Sequence, residues 1–249
     1  RVYTSSDLAY YNRGNQFPSL IIINIDTAIG KVVFPAMTSV ADQKDKLKQI
    51  SRRAMKTTSY VIFPLLAGML IVAESLVRLL LTEKWLFCVP YLQLGCIYFM
   101  CQPIQTTNWQ IIKALGRSDL CLKLEVVKKI IGVSIILVTM KISVLAMAAG
   151  NTVFAMISMI INILPNRKLM GYSVLDQIMD LMPATILSLL MCVAVKAVSL
   201  FDFGILLNLV IQVIVGGTVY IGLSYVAKVD SFMYLLEMIK SKFQKEKAR

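Results

Sequence analysis

Apolar stretches of about 20 residues follow one another along nearly the whole chain, separated by short polar, proline or glycine breaks. A backbone inside a bilayer must satisfy its own hydrogen bonds, and a helix needs about 20 apolar residues to cross. With 57% hydrophobic and only 16% charged residues, and no alternation typical of strands, the chain is predicted to be an all-α integral membrane protein with about seven transmembrane helices. We predict helices at 8–34, 57–77, 89–115, 120–140, 142–164, 181–200 and 203–226, followed by a tail at 227–249.

Positive charge is concentrated in four clusters, which all fall on one side of the membrane if the predicted helices alternate in direction. Lysine and arginine resist translocation, so this side is predicted to be cytoplasmic, together with the C-terminal tail. The net charge of +12 is explained by these helix ends and by anionic lipid, and we do not expect nucleic acid as a partner. Seven crossings then place Arg1 on the far side, and no signal peptide or initiating Met precedes it. We therefore expect a C-terminal portion of a longer protein whose N-terminal lobe lies before Arg1.

The first predicted helix carries polar groups that are costly in hydrocarbon and that we expect to face a water-filled cavity. At about 100° per residue, Lys31 returns to the angular position of Arg13, about 27 Å further along the helix axis. An anionic cargo would require such a doubly cationic face. Lys31 has an alternative role as a side chain that extends to the cytoplasmic interface. Asp26 lies off this face and is predicted either to pair with another helix or to take part in cation coupling. The further polar members that we assign to the cavity are Asn12, Gln16 and Asn24.

The third predicted helix repeats this pattern, since its polar residues share one face within about 100°. Amides there are suited to hydrogen-bonding sugar hydroxyls, and an indole packs well on a sugar ring. The alternative is polar contacts between helices together with an interfacial tryptophan. The residues concerned are Gln102, Gln105, Thr106, Trp109 and Lys113.

Catalytic and metal-binding motifs are missing from the sequence. Histidine is absent, the five cysteines lack C-x-x-C spacing, and there is no nucleotide-binding, zinc or serine-hydrolase motif. The chain is therefore predicted not to be an enzyme and to use no cofactor or metal.

Several short motifs resemble the Wzx-type polysaccharide flippases of the multidrug/oligosaccharidyl-lipid/polysaccharide (MOP) exporter superfamily. Their order and spacing cover essentially the whole chain, which is similar to the C-terminal half of a fourteen-helix member. The motifs are YNRGNQFP at 11–18, FPAMT at 34–38, RRAMK at 52–56, LLTEKW at 80–85 and ALGRSD at 114–119.

The resemblance implies two helical lobes around a cavity that opens alternately to each side of the bacterial inner membrane. It implies transfer of an undecaprenyl-diphosphate-linked oligosaccharide for O-antigen, capsule or exopolysaccharide synthesis, with polysaccharide polymerase and export machinery as further partners. In the related lipid II flippases, an arginine in a similar R-x-x-Q-x-P run engages the lipid diphosphate, and the match carries this role onto Arg13. The alternatives are a drug or cation exporter of the same superfamily, or a non-transporting membrane subunit of a polysaccharide assembly complex.

Overall fold

The computed structural model describes residues 3–201 and 204–247, without the side chains of 239 and 241–247. Within this part, helices account for all the regular secondary structure, and no strand occurs. The all-α prediction is therefore confirmed. The helices are α1 (Ser5–Thr38), α2 (Lys44–Ile71), α3 (Ala73–Leu81), a 3₁₀ helix (Glu83–Cys88), α4 (Val89–Met100), α5 (Gln102–Ala114), α6 (Ser118–Thr139), α7 (Val144–Met170), α8 (Val174–Val198), α9 (Ile205–Val226) and α10 (Asp230–Lys247).

Six helical segments in the described part are long and apolar enough to cross a membrane. They are α1, α2, the continuous segment from Glu83 to Ala114, α7, α8 and α9. The predicted fourth helix is present as α6, but its first twelve residues include Asp119, Lys123, Glu125, Lys128 and Lys129. Because of these charges α6 is not counted among the six apolar segments, although its 22 residues are long enough to span the hydrocarbon core.

The connection between α7 and α8 is much shorter than the sequence pattern indicates. α7 continues through Pro165 to Met170, and α8 begins at Val174 rather than at residue 181. Gly171 ends α7 in the left-handed conformation, with φ +62°, which only glycine adopts without strain. Ser173 then caps α8 in a reciprocal pair of hydrogen bonds with Asp176. Residues 174–180 are therefore helical, and α8 carries two additional carboxylates, those of Asp176 and Asp180.

The predicted C-terminal tail forms a further amphipathic helix, α10. Phe232 of α10 packs at a ring-centroid distance of 6.4 Å from Tyr60 of α2, and Arg53 stacks on Tyr234 at 4.9 Å. The start of α10 is therefore anchored to the body of the protein.

α2 is the central helix of the packed interior. Its side chains Met55, Ile62 and Leu66 are fully buried, and α1, α4, α5 and α8 pack around it. α6 lies at the periphery: it packs on α7 and α5 and has no buried residue of its own.

Small residues let α1 and α4 approach closely. A Cβ atom on Gly14 would lie 2.6 Å from the Cβ of Tyr91, and one on Gly95 would lie 2.7 Å from the side-chain oxygen of Asn15. Further along, Gly30 faces the side chain of Gln110 in α5. α1 therefore runs in the same direction as α4 and α5, with its beginning beside the 3₁₀ helix and its last turns beside α5.

Candidate anion-binding site

The Arg13 guanidinium is held in place by two neighbours. Its Nη1 donates a hydrogen bond to the side-chain oxygen of Gln16 at 2.8 Å, and its Cζ lies 5.5 Å from the centroid of the Trp85 ring. Trp85 comes from the 3₁₀ helix and is itself packed edge-on against Tyr10 of α1, at 5.8 Å between centroids. A cation over an indole face is electrostatically favoured, and the packed ring restricts the arginine side chain.

Arg13 opens into a recess of about 500 Å³ at the surface of the lobe. No carboxylate lies within ion-pair distance of Arg13 in the described part of the chain. Since Gln16 occupies one N–H group, the remaining donors of the planar guanidinium are available for a phosphate or carboxylate. The recess is lined by Ala9, Asn12, Arg13, Asn15, Gln16, Ser19 and Trp85.

The predicted polar stripe of α1 lies on one exposed face of the helix. Asn12, Arg13, Gln16, Asn24 and Lys31 are all exposed, whereas the opposite face packs on α2, α4 and α5. The Asn24 amide donates to the carbonyl of Leu20 at 2.7 Å, so one of its donors is used within the helix. Lys31 makes no ion pair among the described residues. The structure thus places the stripe on a surface that is open to a ligand, a second lobe or lipid.

Asp26 is half-buried and faces away from the Arg13–Lys31 stripe. It lies one helical turn from the buried Ile22 and one turn from Gly30, which faces Gln110. Within the described residues, its carboxylate has neither a hydrogen-bond donor nor a cationic partner. A half-buried carboxylate without a partner destabilises a membrane helix, and such groups often mark functional sites.

The polar face of α5 is divided between different neighbours. The Gln105 amide donates to the Ala155 carbonyl of α7 at 3.3 Å, an interhelical contact. The Trp109 ring has the ammonium groups of Lys113 and Lys128 at 5.5 and 4.7 Å from its centroid. Gln102 is half-buried. These α5 residues and the Arg13 recess are therefore separate groups, one at each end of the Glu83–Ala114 segment.

A buried ion-pair network near the start of α2 was not anticipated from the sequence. Both oxygens of Asp180 accept hydrogen bonds from Arg52 at 2.7 Å, and the Lys56 ammonium lies 3.4 Å away. Tyr172 donates its hydroxyl to Asp180 at 2.8 Å. Burial, followed by the negative charge of Asp180, raises the pKa of Tyr172 in the connector, so it remains a donor at neutral pH. This network joins α2 to α8 and, through a 3.6 Å contact of Lys56 with Asp230, to α10.

A second buried cluster consists entirely of amides. Asn108 and Gln177 exchange hydrogen bonds of 2.7 and 3.0 Å, and Asn166 donates to the Asn108 side-chain oxygen at 2.7 Å. All three side chains are fully buried, and together they tie α5, α7 and α8. The spacing of Asn162 and Asn166, one turn apart in an apolar segment, is the sequence signal that indicates a polar face inside the bundle.

The titratable and sulfur side chains of the described residues do not form a metal site. The described residues contain no group of three or more His, Cys, Asp or Glu side chains that could hold a metal ion. All five cysteines are free thiols.

The helical packing and the membrane-length segments define a multi-pass membrane protein with the fold of a MOP-type transporter. The solved structure of "Lipid II flippase MurJ, inward closed conformation" matches with a TM-score of 0.77, covering 92% of this chain and 48% of that one. At 15% sequence identity, this match establishes the shared fold alone.

The family model described as polysaccharide biosynthesis protein matches residues 1–90. An "Uncharacterized membrane protein in cps region" of Klebsiella pneumoniae is 27% identical over 209 residues, which are 79% of this chain and 41% of that protein. Lipopolysaccharide biosynthesis protein WzxC of Escherichia coli (strain K12) is 27% identical, over 43% of this chain and 22% of its own length. Teichuronic acid biosynthesis protein TuaB of Bacillus subtilis (strain 168) is also 27% identical, over 66% of this chain and 34% of its own length.

These comparisons confirm the resemblance to Wzx-type flippases of the MOP exporter superfamily. Two of the bacterial relatives are named for lipopolysaccharide and teichuronic acid biosynthesis. The chain spans less than half the length of each of these relatives.

Proposed function

We propose that this chain is the C-terminal lobe of a flippase that moves an undecaprenyl-diphosphate-linked oligosaccharide across the bacterial inner membrane. The product would be used for O-antigen, capsule or exopolysaccharide synthesis. The observation that carries the proposal is the Arg13 guanidinium, which lies on an exposed membrane-helix face, is oriented by Gln16 and Trp85, and has no carboxylate partner in the described residues.

In this proposal the stripe of α1 lines one wall of a central cavity, and a second lobe forms the opposite wall. Arg13 binds the diphosphate through paired hydrogen bonds, and Lys31 adds a point charge nearer to the other end of the helix. The exposed amides of Asn12, Gln16 and Asn24 are available to sugar hydroxyls. Gln102, Gln105 and Trp109 of α5 form a separate polar group nearer to the other end of the lobe. Alternating exposure of the cavity to each side of the membrane then carries the headgroup across.

Asp26 is the group we assign to energy coupling. Its half-buried carboxylate has no partner among the described residues, so proton or cation binding would change the charge of the α1–α5 contact directly. A driving ion gradient is in keeping with a sequence that has no nucleotide-binding motif.

The decisive variants are Arg13→Ala and Arg13→Lys in the complete protein, assayed for surface polysaccharide in cells with equal amounts of protein in the membrane. We expect loss of export for Arg13→Ala and partial export for Arg13→Lys, because lysine keeps the charge without the planar fork. Arg117→Ala is the matched control, since Arg117 pairs with Asp119 outside the stripe. Normal export by Arg13→Ala would overturn the proposal.

Lys31→Ala separates two roles for the second cation. Reduced export would assign Lys31 to the cavity, whereas unchanged export would leave it as an interfacial side chain. The rival drug-exporter function requires acidic cavity groups for cationic cargo. It would gain support if Asp26→Asn abolished drug resistance conferred by the protein while polysaccharide export stayed normal.

We further propose that the C-terminus is cytoplasmic, because the start of α2, the end of α5 together with the start of α6, and α10 are all rich in lysine and arginine. A green fluorescent protein fused after residue 249 should fluoresce, and an alkaline phosphatase fused there should be inactive. The reverse pattern would contradict this orientation.

A further inference from the structure

The chain contains two tryptophans, and each has cationic side chains over its ring. Trp85 carries the Arg13 guanidinium at 5.5 Å, and Trp109 carries the ammonium groups of Lys113 and Lys128 at 5.5 and 4.7 Å. Both rings belong to the continuous segment from Glu83 to Ala114. At a rise of about 1.5 Å per residue they are roughly 35 Å apart, close to the thickness of a bilayer's hydrocarbon core.

The close approaches between α1 and this segment fix the level of each tryptophan. Gly14 lies against Tyr91 near the Arg13 end, and Gly30 lies against Gln110 near the Lys31 end. Trp109 is adjacent to Gln110 in sequence, so its level along the lobe is that of the last turns of α1. The two aromatic–cation groups therefore lie near opposite ends of the lobe, at the levels of Arg13 and of Lys31 along α1.

The charge around Trp109 remains positive after local pairing. Lys128 forms an ion pair with Glu125, whereas Lys113 is exposed and has no acidic partner among the described residues. Two ammonium groups and one carboxylate leave one net positive charge beside the ring. The Lys128 side chain is only 12% exposed, although it belongs to a helix without buried residues. Its ammonium group is held in this position by Glu125 and by the indole ring, over which a cation is electrostatically favoured.

The position of these ammonium groups also bears on what Trp109 does. Both lie over the ring, where a sugar would otherwise stack. The indole instead restricts two flexible lysine side chains, so less conformational entropy is lost when an anion binds between them.

We propose that Trp109, Lys113 and Lys128 form a second diphosphate-binding station, at the other end of the lobe from Arg13 and Trp85. This inference rests on the proposed function, because it takes the diphosphate headgroup as the ligand. Each station combines an indole with cations that lack full local neutralisation, and the headgroup occupies one station before transfer and the other after it.

The test uses the complete protein labelled with 5-fluorotryptophan, with the Trp109 ¹⁹F resonance assigned by its loss in Trp109→Phe. Inorganic pyrophosphate should shift this resonance saturably, while sodium chloride of the same ionic strength should not. Loss of one charge-assisted hydrogen bond predicts a dissociation constant about tenfold higher in Lys113→Gln and in Lys128→Gln. Lys129→Gln is the matched control, because Lys129 is the next residue and is exposed.

A second arm identifies the source of the diphosphate. In nanodiscs, undecaprenyl diphosphate should shift the Trp109 resonance, and phosphatidylglycerol at equal charge should not. A response to both lipids alike would assign the cluster to phospholipid headgroups and overturn the proposal.

Three further results would overturn the proposed second station. They are a Trp109 resonance that pyrophosphate does not shift, equal dissociation constants for Lys128→Gln and Lys129→Gln, and a pyrophosphate dissociation constant that Lys113→Gln leaves unchanged. The Lys113 variant alters an exposed side chain, so it tests the station even if Lys128→Gln misfolds. Failure here with export still dependent on Arg13 would remove the second station only. Normal export by Arg13→Ala would instead remove the proposed function.

Discussion

The ion-pair network around Asp180 offers the most quantitative test of how the lobe is held together. The Asp180 side chain is 3% exposed and accepts four close contacts: two hydrogen bonds from Arg52, one from Tyr172, and the Lys56 ammonium at 3.4 Å. Asp180→Asn removes the negative charge and turns one acceptor into a donor that faces cations, with almost no change in volume.

The loss of stability in Asp180→Asn depends on whether the cationic partners of Asp180 can be hydrated once its charge is removed. Removing one member of a fully buried ion pair costs roughly 3–5 kcal/mol, because the other charge is left uncompensated. Arg52, however, is 42% exposed at its side chain and can be rehydrated, and asparagine keeps one acceptor for Tyr172. We therefore expect Asp180→Asn to lower the free energy of unfolding by about 2 kcal/mol, below the fully buried range.

The measurement is reversible unfolding by dodecyl sulfate in mixed micelles, followed by far-ultraviolet circular dichroism. Asp119→Asn is the control, since it breaks a bidentate pair with Arg117 in which both side chains are about half exposed. It should leave stability unchanged, because exposed pairs contribute little. If Asp180→Asn and Asp119→Asn had the same effect, the stabilising role assigned to burial would be refuted.

Two further predictions concern helix contacts and use the same unfolding measurement. Gly14→Ala should lower the free energy of unfolding by about 1–3 kcal/mol, because the new Cβ would lie 2.6 Å from the Cβ of Tyr91. Gly217→Ala is the control: a Cβ there meets nothing within 4 Å, so the free energy of unfolding should stay unchanged or rise by up to about 1 kcal/mol. Equal effects of the two alanines would contradict the close helix approach. Asn108→Leu should cost about 1–3 kcal/mol, because it leaves the buried Gln177 amide without its two hydrogen bonds. A neutral result would mean that the amide cluster contributes nothing to stability.

The all-α membrane fold was predictable because its signals are local. Hydropathy over about 20 residues identifies a membrane helix, and a period of 3.6 residues identifies which side chains share a face. The exposed positions of Arg13, Asn24 and Lys31 on α1 follow from that period alone. The angular offset of Asp26 follows in the same way.

The start of α8 was also encoded locally, although the hydropathy pattern hides it. Gly171 is a typical helix-ending residue, and Ser173 followed three positions later by Asp176 is a capping box. Charged residues at 176 and 180 lower the local hydropathy and move the apparent start of the helix toward the C-terminus. Capping chemistry is therefore a better guide than hydropathy at this boundary.

The polar networks inside the lobe could not be predicted, because their partners are distant in sequence. Arg52 and Asp180 are 128 positions apart, and Asn108 and Gln177 are 69 apart. No periodicity in one helix indicates which residue of another helix will face it. The division of α5 between Gln105, bonded to α7, and Trp109, beside α6, has the same origin.

The distribution of these networks bears on how such a lobe can move. Arg52 and Asp180 tie α2 to α8, while Asn108, Asn166 and Gln177 tie α5, α7 and α8. Breaking either set leaves buried polar groups unpaired, Asp180 in the first and the three amides in the second, which is more costly than sliding apolar surfaces past each other. Within the described residues, the exposed stripe of α1 has no buried hydrogen-bond network to another helix, and its contact outside α1 is that of Arg13 with Trp85. These ties favour movement of the lobe as a unit over separation of its own helices, which is what the proposed alternating access requires.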